Sequence, residues 1–137
     1  MNPHIGAILI GVKDVSRSKQ FYSVGLGWPI QQDAGSYVGF AQADGSPTIA
    51  LYEWNALAQD AGVGADGSGF NGITFNYFVR TDDRVDGVLA EAERAGGTIV
   101  NPGAKAQWGG YSGHFADPDG HLWKVVAAGD DHPKLSE

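Results

Sequence analysis

The feature that most constrains this chain is an order of elements that occurs twice. Residues 5–12 are rich in aliphatic and β-branched side chains and run into polar Lys13-Asp14, the pattern of a strand ending at a helix cap. Val15, Phe21, Tyr22 and Leu26 then mark one apolar side of a helix that Gly25 or Gly27 can stop. Short strands are expected at 28–32, 37–42 and 48–54, with Asp44-Gly45 between the last two, a dipeptide suited to positive φ in a hairpin turn. The second half restarts the order. Residues 73–80 read as a strand and Asp82 or Asp83 as a cap, and Val85, Val88, Leu89 and Ala92 fall at helical spacing before Gly96-Gly97. Strands follow at 98–100, 111–116 and 121–127, with a further short one near 106–108. Identity between the halves is faint, GLGWPI at 25–30 against AGGTIV at 95–100, so order carries the repeat.

An α+β fold follows, built from two βαβββ modules. Each half buries one face of its strands under a helix, and together they are expected to form a curved mixed sheet around a cavity, with the helices on the convex face. The expected organisation is a single domain over 1–137: module one at 4–54, a connecting loop at 55–71, module two at 72–128 and a polar, frayed tail at 129–137. The loop is rich in Gly, Ala and Asp and lacks strong periodicity, which suits either a functional loop or a linker.

Composition decides the class of partner. With 137 residues, 42% hydrophobic, the chain is long and apolar enough to bury a real core. It has no cysteine, hence no disulfide, thiolate metal site or cysteine nucleophile. The formal charge is −7 and the nine basic residues are dispersed, whereas a phosphate backbone needs several cations on one face. Nucleic acid and anionic membranes are therefore not the expected partners. The opening residues carry no positive cluster or cleavage pattern, and a cytoplasmic location is the default expectation.

Three stretches carry a family resemblance. VKDVSRSKQFYSVGLGW (12–28) runs strand, Asp, helix ending in Phe-Tyr, then Leu-Gly; RVDGVLAEAERAGG (84–97) is a second helix; GGYSGHFADPDGHLWKVV (109–126) is a closing hairpin. In that hairpin Asp117 begins the turn, Pro118 presets φ and Gly120 suits the fourth position. Asp-Pro-Asp-Gly alone is simply a good β-turn. At matching spacing with the other two stretches, it makes the chain resemble the vicinal-oxygen-chelate superfamily of glyoxalases, bleomycin-resistance proteins and extradiol dioxygenases.

That resemblance implies a divalent metal held by His and Glu from inward-facing strand positions, two per half. Carried over by spacing, the positions are Ala7, seven before Asp14; Ala50, in PTIALYEW; Phe75 or Tyr77; and Lys124, seven after Asp117. Methyl groups, an aromatic ring and a protonated amine are not a ligand set. The expectation is a member of the family without the usual metal and without another cofactor.

Strand alternation then predicts the lining of the cavity: Ile5, Ala7 and Leu9; Thr48, Ala50 and Tyr52; Phe75 and Tyr77; His114; Leu122 and Lys124. His121, Trp123 and Val125 would face the helices. Trp108, beside Gly109-Gly110, is the candidate to close over a ligand. The expected ligand-binding residues are Ala7, Ala50, Tyr52, Phe75, Tyr77, Trp108, His114, Leu122 and Lys124. An apolar, aromatic lining with few polar handles suits a small hydrophobic or aromatic molecule, and a buried Lys124 favours one with an acidic or phenolic group.

Three functions compete on these residues. The first is a metal-free binding protein, as the antibiotic-binding members of the family are. The second is a glyoxalase-type lyase or isomerase, using Lys124 and His114 as acid and base or holding a metal at a noncanonical site. The third is an interaction protein whose cup is filled by Phe75, Tyr77 and Trp108. The family also implies a homodimer, with modules paired within one chain or exchanged between two.

Overall fold

The computed structural model describes residues 3, 5–61, 64–67, 71, 73–106 and 109–129. The chain divides into two compact units, Met1–Gly69 and Phe70–Glu137.

In the first unit β1 (Ala7–Val12) leads to α1 (Val15–Lys19), which continues as a π-helical segment, Gln20–Gly25. Strands β2 (Ile30–Asp33), β3 (Tyr37–Phe40) and β4 (Thr48–Glu53) follow, then α2 (Trp54–Ala61). Asp14 caps α1 as its side chain predicts, accepting from the Arg17 N–H at 3.0 Å. The π segment widens the helix, with Leu26 N–H donating to the Phe21 carbonyl, and the consecutive Phe21 and Tyr22 are both buried. The Tyr22 ring lies 4.8 Å from Trp28 and 6.0 Å from Phe40, so Trp28 is a packing residue here. The sheet order is β1-β4-β3-β2, with β1 parallel to β4 and the other pairs antiparallel. In the β3–β4 connection Ser46 N–H donates to the Ala43 carbonyl at 3.0 Å. Gly45 has φ +77° and Asp44 does not have positive φ, so only the glycine of that dipeptide uses the left-handed region.

Helix α2 corrects the expectation of a loop over the whole of 55–71. Trp54, Leu57, Ala58 and Ala61 recur at helical spacing. The Glu53 carboxylate accepts from Asn55 N–H at 3.1 Å and Ala56 N–H at 2.7 Å, satisfying donors that the first turn leaves open. Gly11 makes room for this helix: a Cβ there would meet Leu57 Cδ2 at 3.3 Å and Trp54 Cε3 at 3.4 Å. Helix α1 and the π segment cover the face of Ile10, Val12, Val38, Phe40 and Leu51, all buried. Since Gly11 alternates with Ile10 and Val12, α2 rests on the opposite face.

The second unit repeats the connectivity with β5 (Phe75–Val79), α3 (Asp82–Arg94), β6 (Thr98–Lys105), β7 (Tyr111–Ala116) and β8 (Leu122–Ala127), in the order β5-β8-β7-β6. Both units are thus βαβββ and the fold is α+β. Val85, Val88, Leu89 and Ala92 are buried as their spacing predicts. The α3 cap is Thr81, not Asp82 or Asp83: its extended backbone lets its hydroxyl accept from Arg84 N–H at 3.2 Å, and both carboxylates sit in the first turn, where the helix dipole favours them. The helix stops with Gly97 N–H on the Ala92 carbonyl and Gly96 N–H on that of Glu93, with Gly96 at φ +108°.

Strand β6 is longer than expected because it continues through two irregularities, between Ile99 and Asn101 and between Asn101 and Ala104. As an edge strand it tolerates Pro102. Ala106 lies outside any strand, and Gln107 and Trp108, the rest of the expected 106–108 strand, are outside the described residues, as is the tail from 130. The turn between β7 and β8 places Gly120 N–H on the Asp117 carbonyl at 3.0 Å, with Gly120 at φ +89°. The buried Asp117 carboxylate accepts from Asp119 N–H at 3.0 Å and His121 N–H at 2.9 Å.

Helix α3 packs on β6, β7 and β8 over the face bearing Gly113, where a Cβ would lie 2.6 Å from Leu89 Cδ1. On that face Trp123 is buried, stacked on Phe115 at 6.0 Å and 5.0 Å from Phe75. Among the described residues no helix is long and apolar enough to cross a membrane.

Candidate functional site

The face of the second sheet away from α3 carries a row of polar side chains, one per strand. Asn101 of β6 pairs with His114 of β7, His114 with Lys124 of β8, and Lys124 with Asn76 of β5. Directly paired residues project on the same face, so alternation sets all four opposite the Gly113, Phe115, Trp123 and Val125 side. Mostly apolar neighbours flank the row: Leu122 and Val126 on β8, with Ala116 across from Leu122, and Phe78 and the polar Ser112 across from Val126 on either side.

Two hydrogen bonds order the row. Asn101 Nδ2 lies 3.3 Å from His114 Nδ1. An amide nitrogen can only donate, so His114 Nδ1 accepts and the neutral ring carries its hydrogen on Nε2. The Thr74 hydroxyl donates to Asn76 Oδ1 at 3.3 Å, which leaves the Nδ2 hydrogens as that amide's donor end. Burial, and then the neighbouring Lys124 charge, hold the His114 imidazole below its ordinary range, which favours the neutral ring.

The expected grouping of His114, Leu122 and Lys124 on one face matches this register. Phe75 and Tyr77 do not join them, which corrects the expectation that they share that face. Strand β5 pairs with β8 so that Phe75 meets Trp123 and Tyr77 meets Val125. A shift of one residue in pairing exchanges the two faces of a strand, and in FNYFV only the single polar residue, Asn76, hints at the choice. The Tyr77 hydroxyl is pushed up first by burial and then by Glu91, with Arg84 opposing. Both charged residues belong to α3, which agrees with the helix-side placement. The polar residues of that face that the sequence reading missed are Asn76 and Asn101. A polar Asn76 inside an otherwise apolar strand was a usable signal; Asn101 was hidden by the irregular edge.

In the first unit Ala7, Ala50 and Tyr52 share a face, since Ala7 pairs with Thr48, Leu9 with Ala50 and Gly11 with Tyr52. Ala50 is fully buried and Ala7 exposed. Tyr37 meets Tyr52 edge to face at 5.9 Å. Trp108 is outside the described residues.

The residues at the four family ligand positions do not fit a metal. Ala7 and Ala50 have no donor atom, neither Phe75 nor Tyr77 shares the Lys124 face, and a protonated Lys124 repels a cation. Among the described residues no group of three or more His, Cys, Asp or Glu side chains is arranged to hold an ion.

Residues 4–125 match the family model described as Glyoxalase/Bleomycin resistance protein/Dioxygenase superfamily. A glyoxalase-related enzyme from Fulvimarina pelagi is similar in structure, with TM-score 0.82 and 26% identity over 91% of this chain and 88% of that one. A hypothetical protein from S. aureus gives 0.78 and 26%, covering 93% and 95%. A glyoxalase/bleomycin resistance protein/dioxygenase from Nocardioides gives 0.77 at 19% identity over 100% and 90%, a likeness of fold. No curated protein matches the chain.

Proposed function

Because this chain belongs to the glyoxalase/bleomycin resistance protein/dioxygenase superfamily, we propose that it binds a small hydrophobic or aromatic molecule without a metal, on the helix-free face of its second sheet. The observation that carries this reading is the row Asn76, Lys124, His114 and Asn101 flanked by Leu122, Phe78 and Val126. A few fixed polar groups within apolar surroundings orient a small ligand while burial supplies affinity. In the first unit Tyr52 and Tyr37 are a second aromatic pair to be tested, with the fully buried Ala50 beneath them on the same face, and Trp108 is a further contact to be tested.

With Nδ1 accepting from Asn101, the neutral His114 ring presents Nε2–H as a hydrogen-bond donor, which suits orienting a ligand. In the lyase or isomerase reading the same group would serve as the acid and Lys124 as the base, and turnover separates the two. The family also supports a homodimer, which sedimentation equilibrium checks.

A thermal-shift screen of aromatic compounds tests the proposal. A ligand at 100 times its Kd raises stability by about 2.7 kcal/mol, and divalent metal salts alone leave the melting temperature unchanged. Stoichiometric Ni, Zn, Fe or Mn by elemental analysis of the purified protein overturns the metal-free reading. Turnover that vanishes in Lys124→Met or His114→Phe, with binding retained, turns it into an enzyme.

A further inference from the structure

We infer that the polar row of the second sheet is an anion seat, selecting ligands whose ring or apolar body bears a carboxylate. This deepens the small-molecule reading above and rests on it.

The row is biased toward donors. Lys124 is a cation at the centre of the sheet, between His114 on one strand and Asn76 on the other. On the first side His114 has its acceptor nitrogen engaged by Asn101 and keeps Nε2–H. On the second side Asn76 has its acceptor oxygen engaged by Thr74 and keeps its amide hydrogens. The Asn101 and Thr74 contacts thus engage the acceptor nitrogen of His114 and one lone pair of Asn76 Oδ1, and the hydrogens that both groups keep tilt the row toward donation. A carboxylate has two oxygens and about four lone-pair sites, and it accepts from several donors in one plane. A neutral alcohol or ether cannot answer that many donors. A divalent cation is disfavoured by the Lys124 charge and by the engagement of the His114 acceptor nitrogen.

The apolar flank sets the rest of the ligand. Leu122 and Ala116 lie on one side of the row, and Val126 and Phe78 on the other beside the Ser112 hydroxyl, so a body joined directly to the carboxylate meets mainly carbon. Aryl and aryl-alkyl carboxylates have this shape.

The test uses matched probes of equal shape and different charge: 2-naphthoate against 2-naphthylmethanol, and benzoate against benzyl alcohol. Affinities are measured at pH 7.5 by chemical-shift titration on the full-length protein, following the Asn side-chain amides and the His114 ring. The carboxylate is expected to bind at least about tenfold more tightly than its alcohol, the size of one charge-assisted hydrogen bond, with shifts at Asn76, Asn101 and His114. Lys124→Gln brings the ratio close to one. Asn76→Ala, at an exposed position, lowers it by about threefold and serves should the lysine variant lose its fold. Equal affinity of both members of a pair overturns the anion seat and leaves the small-molecule reading standing. A carboxylate preference untouched in both variants places the seat elsewhere and overturns the assignment. No saturable binding of any of the four probes overturns the assignment together with the reading beneath it.

Discussion

Lys124 and His114 are direct partners across β8 and β7, and the lysine charge helps to keep the imidazole neutral. The pair faces Asn76 from β5 and Asn101 from β6, neither of which titrates. Burial and the neighbouring cation act in the same direction here.

This relationship sets a pH dependence. The folded pKa of His114 lies below its unfolded value near 6.5, so on acidification the unfolded chain takes up the proton first. The stabilising contribution is complete above the unfolded pKa and is lost as pH falls through that value toward the folded one. Thermal unfolding from pH 8 to pH 5 is expected to show a falling midpoint, and His114→Gln removes part of the slope. A variant with an unchanged slope refutes the assignment.

Gly113 is required by the closeness of α3. A Cβ would lie 2.6 Å from Leu89 Cδ1 and 2.9 Å from the Asn101 carbonyl oxygen. The leucine tip can turn aside, whereas the backbone oxygen belongs to the neighbouring strand and cannot. Gly113→Ala is expected to destabilise by about 1–3 kcal/mol, read as a lower urea midpoint with the slope unchanged.

The buried Asp117 carboxylate holds the β7–β8 turn through the amides of Asp119 and His121. Asp117→Ala strands those donors, at a cost of about 1–3 kcal/mol. Asp117→Asn keeps an acceptor oxygen and should lose less. Urea unfolding of the two variants side by side checks the order.

Glu53 accepts from the first free amides of α2. Glu53→Ala is expected to weaken that helix by about 0.5–2 kcal/mol. Hydrogen exchange should speed up at Asn55 and Ala56 in the variant while amides of Val85, Val88 and Leu89 stay protected. Equal acceleration in both units would show that the effect is global.

The repeat of strand, helix and three strands was visible in the sequence because it is written in local chemistry. Asp14 caps, Gly96-Gly97 stops and Asp117-Pro118-Asp119-Gly120 turns whatever surrounds them, since each acts on backbone groups a few residues away. The buried set of α3 was legible for the same reason, from the spacing of Val85, Val88, Leu89 and Ala92. Helix α2 was missed, because the spacing of Trp54, Leu57, Ala58 and Ala61 is too short amid Gly and Asp to be told from a loop before Gly11 receives it.

Strand β5 shows what local chemistry left undecided. Phe75, Asn76, Tyr77 and Phe78 alternate weakly, and either face of that strand can be buried. Only pairing with β8 turned Phe75 and Tyr77 toward α3 and brought Asn76 beside Lys124. Asn101 reached His114 only through the irregular register of β6. Sequence alone thus determined the repeated βαβββ elements and their order, through contacts within a turn or two of each residue, but not α2 or the full length of β6. Tertiary structure decided the company of Lys124, because strand register is set by neighbours roughly fifty residues away in the chain, and a slip of one residue reverses every side chain.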